Sequence, residues 1–80
     1  MTKEKNLNKI KELEQLAARL RDLRKKAGFS NYENFAWTNN ISRAQYLRYE
    51  SGEDIRFTTL LKVIKAHNLT LKEFFSEGFD

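Results

Sequence analysis

Residues 41–52, ISRAQYLRYESG, carry the signals of a short, sharply bounded helix. Ser42 followed three residues later by Gln45 is the pattern of a capping box, in which each side chain satisfies a free backbone N–H of the first turn. The helix is therefore expected to begin at Arg43. Gly52 stands where glycine commonly closes a helix, which leaves about two and a half turns. Ile41, Tyr46 and Tyr49 take the core side, while Arg43, Gln45 and Arg48 take the exposed one. An element this short suits presentation better than structural spanning.

Immediately upstream, Ser30 and Glu33 make a second capping-box pattern and predict a helix over Asn31 to Thr38, with Tyr32, Phe35 and Ala36 buried. Asn39-Asn40 must stop it. After glycine, asparagine best accepts left-handed backbone, so Asn40 makes the turn into Ile41 and Ser42. Two short helices thus meet across three residues. Further upstream, Leu7, Ile10, Leu13, Leu16, Ala17, Leu20 and Leu23 recur at steps of three and four, an amphipathic helix from Asn6 to Lys26. It ends at Ala27-Gly28, where Arg24, Lys25 and Lys26 place positive charge favoured by the helix dipole. Thr2, Asn6 and Asn8 all qualify as its cap, and residues 1–5 read as a mobile arm.

Downstream, Glu53-Asp54 is a loop, and Leu60, Leu61, Val63, Ile64 and Ala66 define a helix from Phe57 to His67, capped by Thr58, Thr59 or Arg56. Asn68 breaks it. Thr70 with Glu73 opens a last short helix, Leu71 to Ser76, before Gly78. No proline interrupts the chain, and no segment alternates apolar and polar residues long enough for a strand. The expectation is an all-α, five-helix single domain over residues 1–80.

A chain of 80 residues, 40% of them hydrophobic, allows one efficient core. Cysteine is absent, which removes disulfides and thiolate metal sites and makes a reducing compartment the simpler expectation. No apolar run approaches the roughly 20 residues needed to cross a bilayer. A soluble, cytoplasmic protein is expected. The net charge of +4 is unevenly placed: residues 1–30 hold nine Lys or Arg against four acids, and residues 53–80 hold four against five. Such asymmetry fits an anionic partner, nucleic acid ahead of a membrane surface, although a charge of this size also serves solubility alone.

Enzyme chemistry finds little support. The hydroxyls of Ser30, Ser42 and Thr70 are spoken for as caps, no glycine-rich phosphate loop exists, and no acid pair is isolated in an apolar setting. His67 is a lone histidine at a helix end without partners at ligand spacing, so capping or exposure is its expected role. No metal or cofactor is expected.

Two short helices joined by a three-residue turn, the second bearing exposed Arg and Gln near its start, form the helix-turn-helix pattern, here over residues 31–51. From Leu16 to Phe75 the chain resembles the phage repressor and Cro class, also called the xenobiotic-response-element family, with its lambda-repressor-like fold. The resemblance rests on Leu20, Leu23, Arg24, Gly28, Phe35-Ala36, Ile41-Ser42, Tyr49-Glu50-Ser51-Gly52, Leu60 and Leu69. The segments FAWTNNISRAQYLRYESG and LTLKEFFSEGFD look closest to small regulators of Bacteroidetes-type bacteria. Two features depart from the family pattern: one extra residue lies between Gly28 and Ala36, and Tyr32 stands where a DNA-contacting glutamine is frequent.

That resemblance implies a sequence-specific, nucleoid-associated transcriptional regulator, expected to be a repressor, whose third helix enters the major groove. Arg43 would reach a base edge, Ala44 a thymine methyl, and Arg48 either a base or phosphate. Gln45 would read adenine or be consumed by the capping box. Lys25, Lys26, Ser30, Tyr32, Ser42 and Arg56 are the expected phosphate contacts. Arg24 and Glu50 match the family's partly buried ion pair. The partner would be double-stranded DNA carrying an inverted-repeat operator, bound by a homodimer, with no membrane involved. Phe74, Phe75 and Phe79 either supply that dimer's interface or close the core against helix one. Trp37 either covers the fourth helix, contacts a partner or flanks DNA. Two rival readings use the same fold: the antitoxin of a toxin–antitoxin pair, with a toxin as partner, and a protein-interaction module.

Overall fold

The computed structural model describes residues 10–80, which form five α-helices and, among those residues, no strand. They are α1 (Lys11–Lys26), α2 (Tyr32–Thr38), α3 (Arg43–Glu50), α4 (Phe57–Ala66) and α5 (Leu71–Phe74). Helices α1, α2 and α3 pack mutually, and α4 packs with α5. One core joins them. Leu20, Phe35, Tyr46, Val63, Ile64 and Phe74 are its largest fully buried members, so every helix contributes at least one side chain. Phe35 lies at the centre of an aromatic stack, with the Tyr46 ring 5.0 Å away and the His67 ring 4.9 Å away, nearly parallel at 11°.

Four of the five helices close by one device. The residue after the C-cap takes left-handed backbone: Gly28 (φ 95°), Asn40 (φ 59°), Gly52 (φ 93°) and Asn68 (φ 58°). The next N–H then turns back to the helix: Phe29 to Arg24 O, Ile41 to Ala36 O, Glu53 to Arg48 O and Leu69 to Ile64 O, at 2.8–3.3 Å. These are Schellman motifs. In three of them the returning residue is apolar, and Phe29, Ile41 and Leu69 all pack on the core, so each stop also aims the chain for the next helix.

Several expected boundaries shift. The helix predicted to run unbroken from Asn6 instead begins at Lys11, because Ile10 has extended backbone (φ −63°, ψ 129°) and occupies the cap position without a side-chain bond. Ile10 is 47% exposed. An apolar residue one turn ahead of a stripe keeps the periodicity whether or not the helix has started, which is why the pattern overran. Leu7, the alternative caps Thr2, Asn6 and Asn8, and the arm at 1–5 lie outside the described residues.

Asn31, not Ser30, caps α2, accepting the Asn34 N–H at 2.8 Å. Phe29 closes α1 and packs edge-on against Phe35 at 5.4 Å, so Ser30 serves as linker and the helix starts one residue later. The Ser30–Glu33 capping box therefore does not form. Tyr32, expected to be buried, is half-buried against the core.

At α4, Arg56 takes the cap position without a side-chain bond, and neither Thr58 nor Thr59 caps the helix. His67 becomes the C-cap residue, half-buried and stacked rather than exposed. Burial first, and then the Arg19 charge, hold its pKa below the ordinary histidine value. The Thr70–Glu73 capping box forms in full, at 3.1 and 2.8 Å. Its helix stops at Phe74 rather than Ser76. The buried Arg19 explains this: its guanidinium donates to Phe74 O at 2.8 Å and Glu73 O at 3.1 Å, capping the end of the helix from outside. Phe74 is fully buried, Phe79 half-buried and Phe75 exposed.

Candidate nucleic-acid interface

Helix α3 turns Tyr46, Tyr49 and Glu50 inward, which leaves Arg43, Ala44, Gln45, Leu47 and Arg48 on the exposed side. Its C-terminal turn is held by two arginines of α1. Arg24 donates through Nε and Nη2 to both Glu50 carboxylate oxygens, at 2.8 and 3.1 Å, and through Nη1 to Phe29 O at 2.8 Å. Arg21 donates to the Glu50 backbone carbonyl. Both side chains of the Arg24–Glu50 pair are almost fully buried, at 7% and 6% exposure. The hydrogen bonds that Arg24 donates to the Glu50 carboxylate raise the Arg24 pKa although burial opposes it. Tyr46 lies against the same pair. Burial first, then the Glu50 carboxylate, push its hydroxyl pKa far above the ordinary tyrosine value. The result is an exposed helix face whose rear is fixed by buried charge.

The start of α3 is less tightly tied than its sequence implies. Ser42 Oγ accepts the Gln45 N–H at 3.4 Å, but no return bond runs from the Gln45 side chain to the Ser42 backbone. Half of the expected capping box is therefore missing, and the exposed Gln45 amide is free for other partners. Arg43, the first helical residue, has a side chain 74% exposed with Nη1 3.4 Å from Glu33 Oε2 on α2. Glu33, released from the capping box it was expected to make, faces Arg43 instead.

Two concavities flank α3. One, of about 650 Å³, opens between α2 and the start of α3 and is lined by Glu33, Trp37, Ile41, Ser42 and Arg43 among others. Trp37 is 86% exposed there, so it does not cover α4. The other brings Gln45, Arg48 and Arg56 together with Thr59 and the carboxylates of Glu53 and Asp54. Ser42 thus sits with Arg43, and Arg56 with Gln45 and Arg48. The remaining phosphate candidates line neither concavity. Lys25 and Lys26 are exposed at the end of α1, Lys26 pairing with Asp22 at 3.1 Å. Ser30 is exposed ahead of the true cap, and Tyr32 is partly committed to the core.

Three contributors escaped sequence reasoning. Leu47 is exposed on the candidate face, and a helical wheel with Tyr46 and Tyr49 inward would have shown it beside Arg43 and Ala44. Lys62 donates to Asn40 O at 3.0 Å and so braces the α2–α3 turn from α4; nothing local in the sequence signals this. Arg19 interrupts the apolar stripe between Leu16 and Leu23, a cue for a buried arginine.

Among the described residues, no group of His, Asp and Glu is arranged to hold a metal ion, and no helix is long and apolar enough to cross a membrane. No family model matches the chain, and no curated protein or solved structure matches it significantly.

Proposed function

We propose that this chain is a sequence-specific DNA-binding regulator of the repressor and Cro helix-turn-helix class, with α2–turn–α3 as its helix-turn-helix and α3 as the reader. One arrangement carries the reading: a short helix with its rear fixed by Tyr46, Tyr49 and the buried Glu50, and with Arg43, Ala44, Gln45 and Arg48 all left exposed. An α-helix fits the major groove, where base edges present distinguishable donors, acceptors and methyl groups. Arg43 and Arg48 supply forked donors suited to guanine, Gln45 an amide suited to adenine, and Ala44 with Leu47 apolar contact for thymine methyls. Ser42, Arg56, Lys25 and Lys26 hold the phosphates, and repression follows from occupancy of the operator.

Selection of bound duplexes from random DNA tests this. The expected outcome is enrichment of one inverted repeat, bound with an affinity that falls steeply as salt rises, because phosphate contacts release counterions. Weak binding that is indifferent to salt and sequence would sink the proposal. The exposed Trp37 favours a second reading, the antitoxin, since large aromatic side chains anchor many protein interfaces; a protein partner captured alongside DNA binding would mark it.

A further inference from the structure

We propose that Glu33 is a positioning residue for base reading, orienting the Arg43 guanidinium across the α2–α3 junction and setting sequence preference rather than stability. The inference rests on the DNA-binding reading above. The two side chains belong to different helices and meet at 3.4 Å while remaining 74% and 51% exposed. An ion pair this wet contributes little to folding. Glu33 has no capping duty, because Asn31 caps α2 and no bond runs from the Glu33 carboxylate to the Ser30 backbone; its remaining local role is that of a single charge in the first turn of the helix.

Geometry supplies the duty instead. Glu33 engages Nη1 of Arg43, and a guanidinium carries five N–H donors in a fixed fork. Holding one terminal nitrogen leaves Nε and Nη2 directed away from Glu33, the two-donor edge that matches O6 and N7 of guanine. A free arginine side chain at this site would sample many rotamers and find phosphates as readily as bases. The Glu33 carboxylate opposes that outcome twice, by restricting the rotamers and by repelling phosphate oxygens that approach the same cleft. It therefore weakens non-specific binding while favouring one base contact.

The test uses the full chain, its selected operator, and operators altered at each base pair in turn. Removing the carboxylate in Glu33→Ala is expected to raise affinity for random DNA and to lower discrimination at the single base pair read by Arg43 by about two- to fivefold, the scale of an exposed ion pair. Glu33→Gln, which keeps an acceptor and loses the charge, should fall between. The thermal midpoint should fall only slightly, through the loss of one exposed charge near the start of α2. In an Arg43→Ala background, which itself erodes preference at that base pair more than bulk affinity, Glu33→Ala should no longer change discrimination. Unchanged base preference in Glu33→Ala, or an equal loss with and without Arg43, overturns the proposal while leaving DNA binding intact. Failure of the wild-type chain to prefer any sequence overturns the regulator reading together with it.

Discussion

At the residue scale, the Arg24–Glu50 pair decides how rigidly α3 is presented. A buried charge is tolerable when its hydrogen bonds are filled. Glu50 has both carboxylate oxygens filled by Arg24 and its backbone carbonyl held by Arg21. Removing one partner leaves the other charged, desolvated and unpaired. Glu50→Ala is accordingly expected to lower stability by about 3 to 5 kcal/mol, far more than loss of an exposed pair such as Lys26–Asp22. Thermal or denaturant unfolding of the variant measures it, with DNA affinity falling in parallel as the helix loosens. Wild-type melting would show that the pair is not structural. Glu50→Gln keeps an acceptor for Arg24 and should lie between the two, which separates loss of charge from loss of shape. The exposed Arg43 and Arg48 belong to the opposite regime, where truncation changes recognition and leaves folding almost untouched.

At the scale of elements, the stops carry more information than the starts. Gly28, Asn40, Gly52 and Asn68 all stood in the sequence as helix breakers, and each adopts positive φ in a Schellman motif. Asn40 is the most informative, because it joins α2 to α3 and receives Lys62 on its carbonyl. Asparagine tolerates left-handed backbone better than alanine because its short polar side chain can hydrogen-bond locally, so Asn40→Ala is expected to cost up to about 1 kcal/mol, whereas Asn40→Gly removes the Cβ penalty altogether. Unfolding of the two variants should rank Gly at or above wild type and Ala below it. Equal stability of Ala and wild type would mean that the turn relaxes to another conformation. Helix starts were harder to read, since Ser30 and Asn31 cap comparably well in isolation and only the packing of Phe29 on Phe35 selects the later one. The same limit hid Arg19, whose partners lie more than fifty residues away. Periodicity located the helices and most of the core. Long-range hydrogen bonds fixed where α5 ends and which capping residues stay free. The exposed face of α3 was legible because its buried tyrosines were, and the pairing of Glu33 with Arg43 was not, because local capping rules gave Glu33 another partner.

At the scale of the molecule, the acidic C-terminal segment folds back on α1. Gln15 donates to Asp80 O at 3.1 Å, and Arg19 meets Glu77 at 3.5 Å. Glu77 thus offsets part of the positive charge of α1, while Arg43, Arg48 and Arg56 remain exposed. This same end gathers aromatic rings: Phe75 lies 4.9 Å from both Phe74 and Phe79. Phe74 closes the core, while Phe75 remains 42% exposed beside the similarly exposed Leu71. Exposed apolar rings supported from beneath by a buried one suit a face for a second copy of the chain. In the proposed regulator, a dimer would place one α3 in each of two half-sites roughly 34 Å apart, one turn of the duplex. Sedimentation of the full chain, with and without operator DNA, is expected to show a dimer at least on DNA. Phe75→Ser should shift it toward monomer, with a modest loss of thermal stability from its contacts with Phe74 and Phe79. Phe74→Ala should instead cost about 3 to 5 kcal/mol through the cavity it opens. A wild-type chain that remains strictly monomeric on its operator would defeat the dimer and, with it, the inverted-repeat operator.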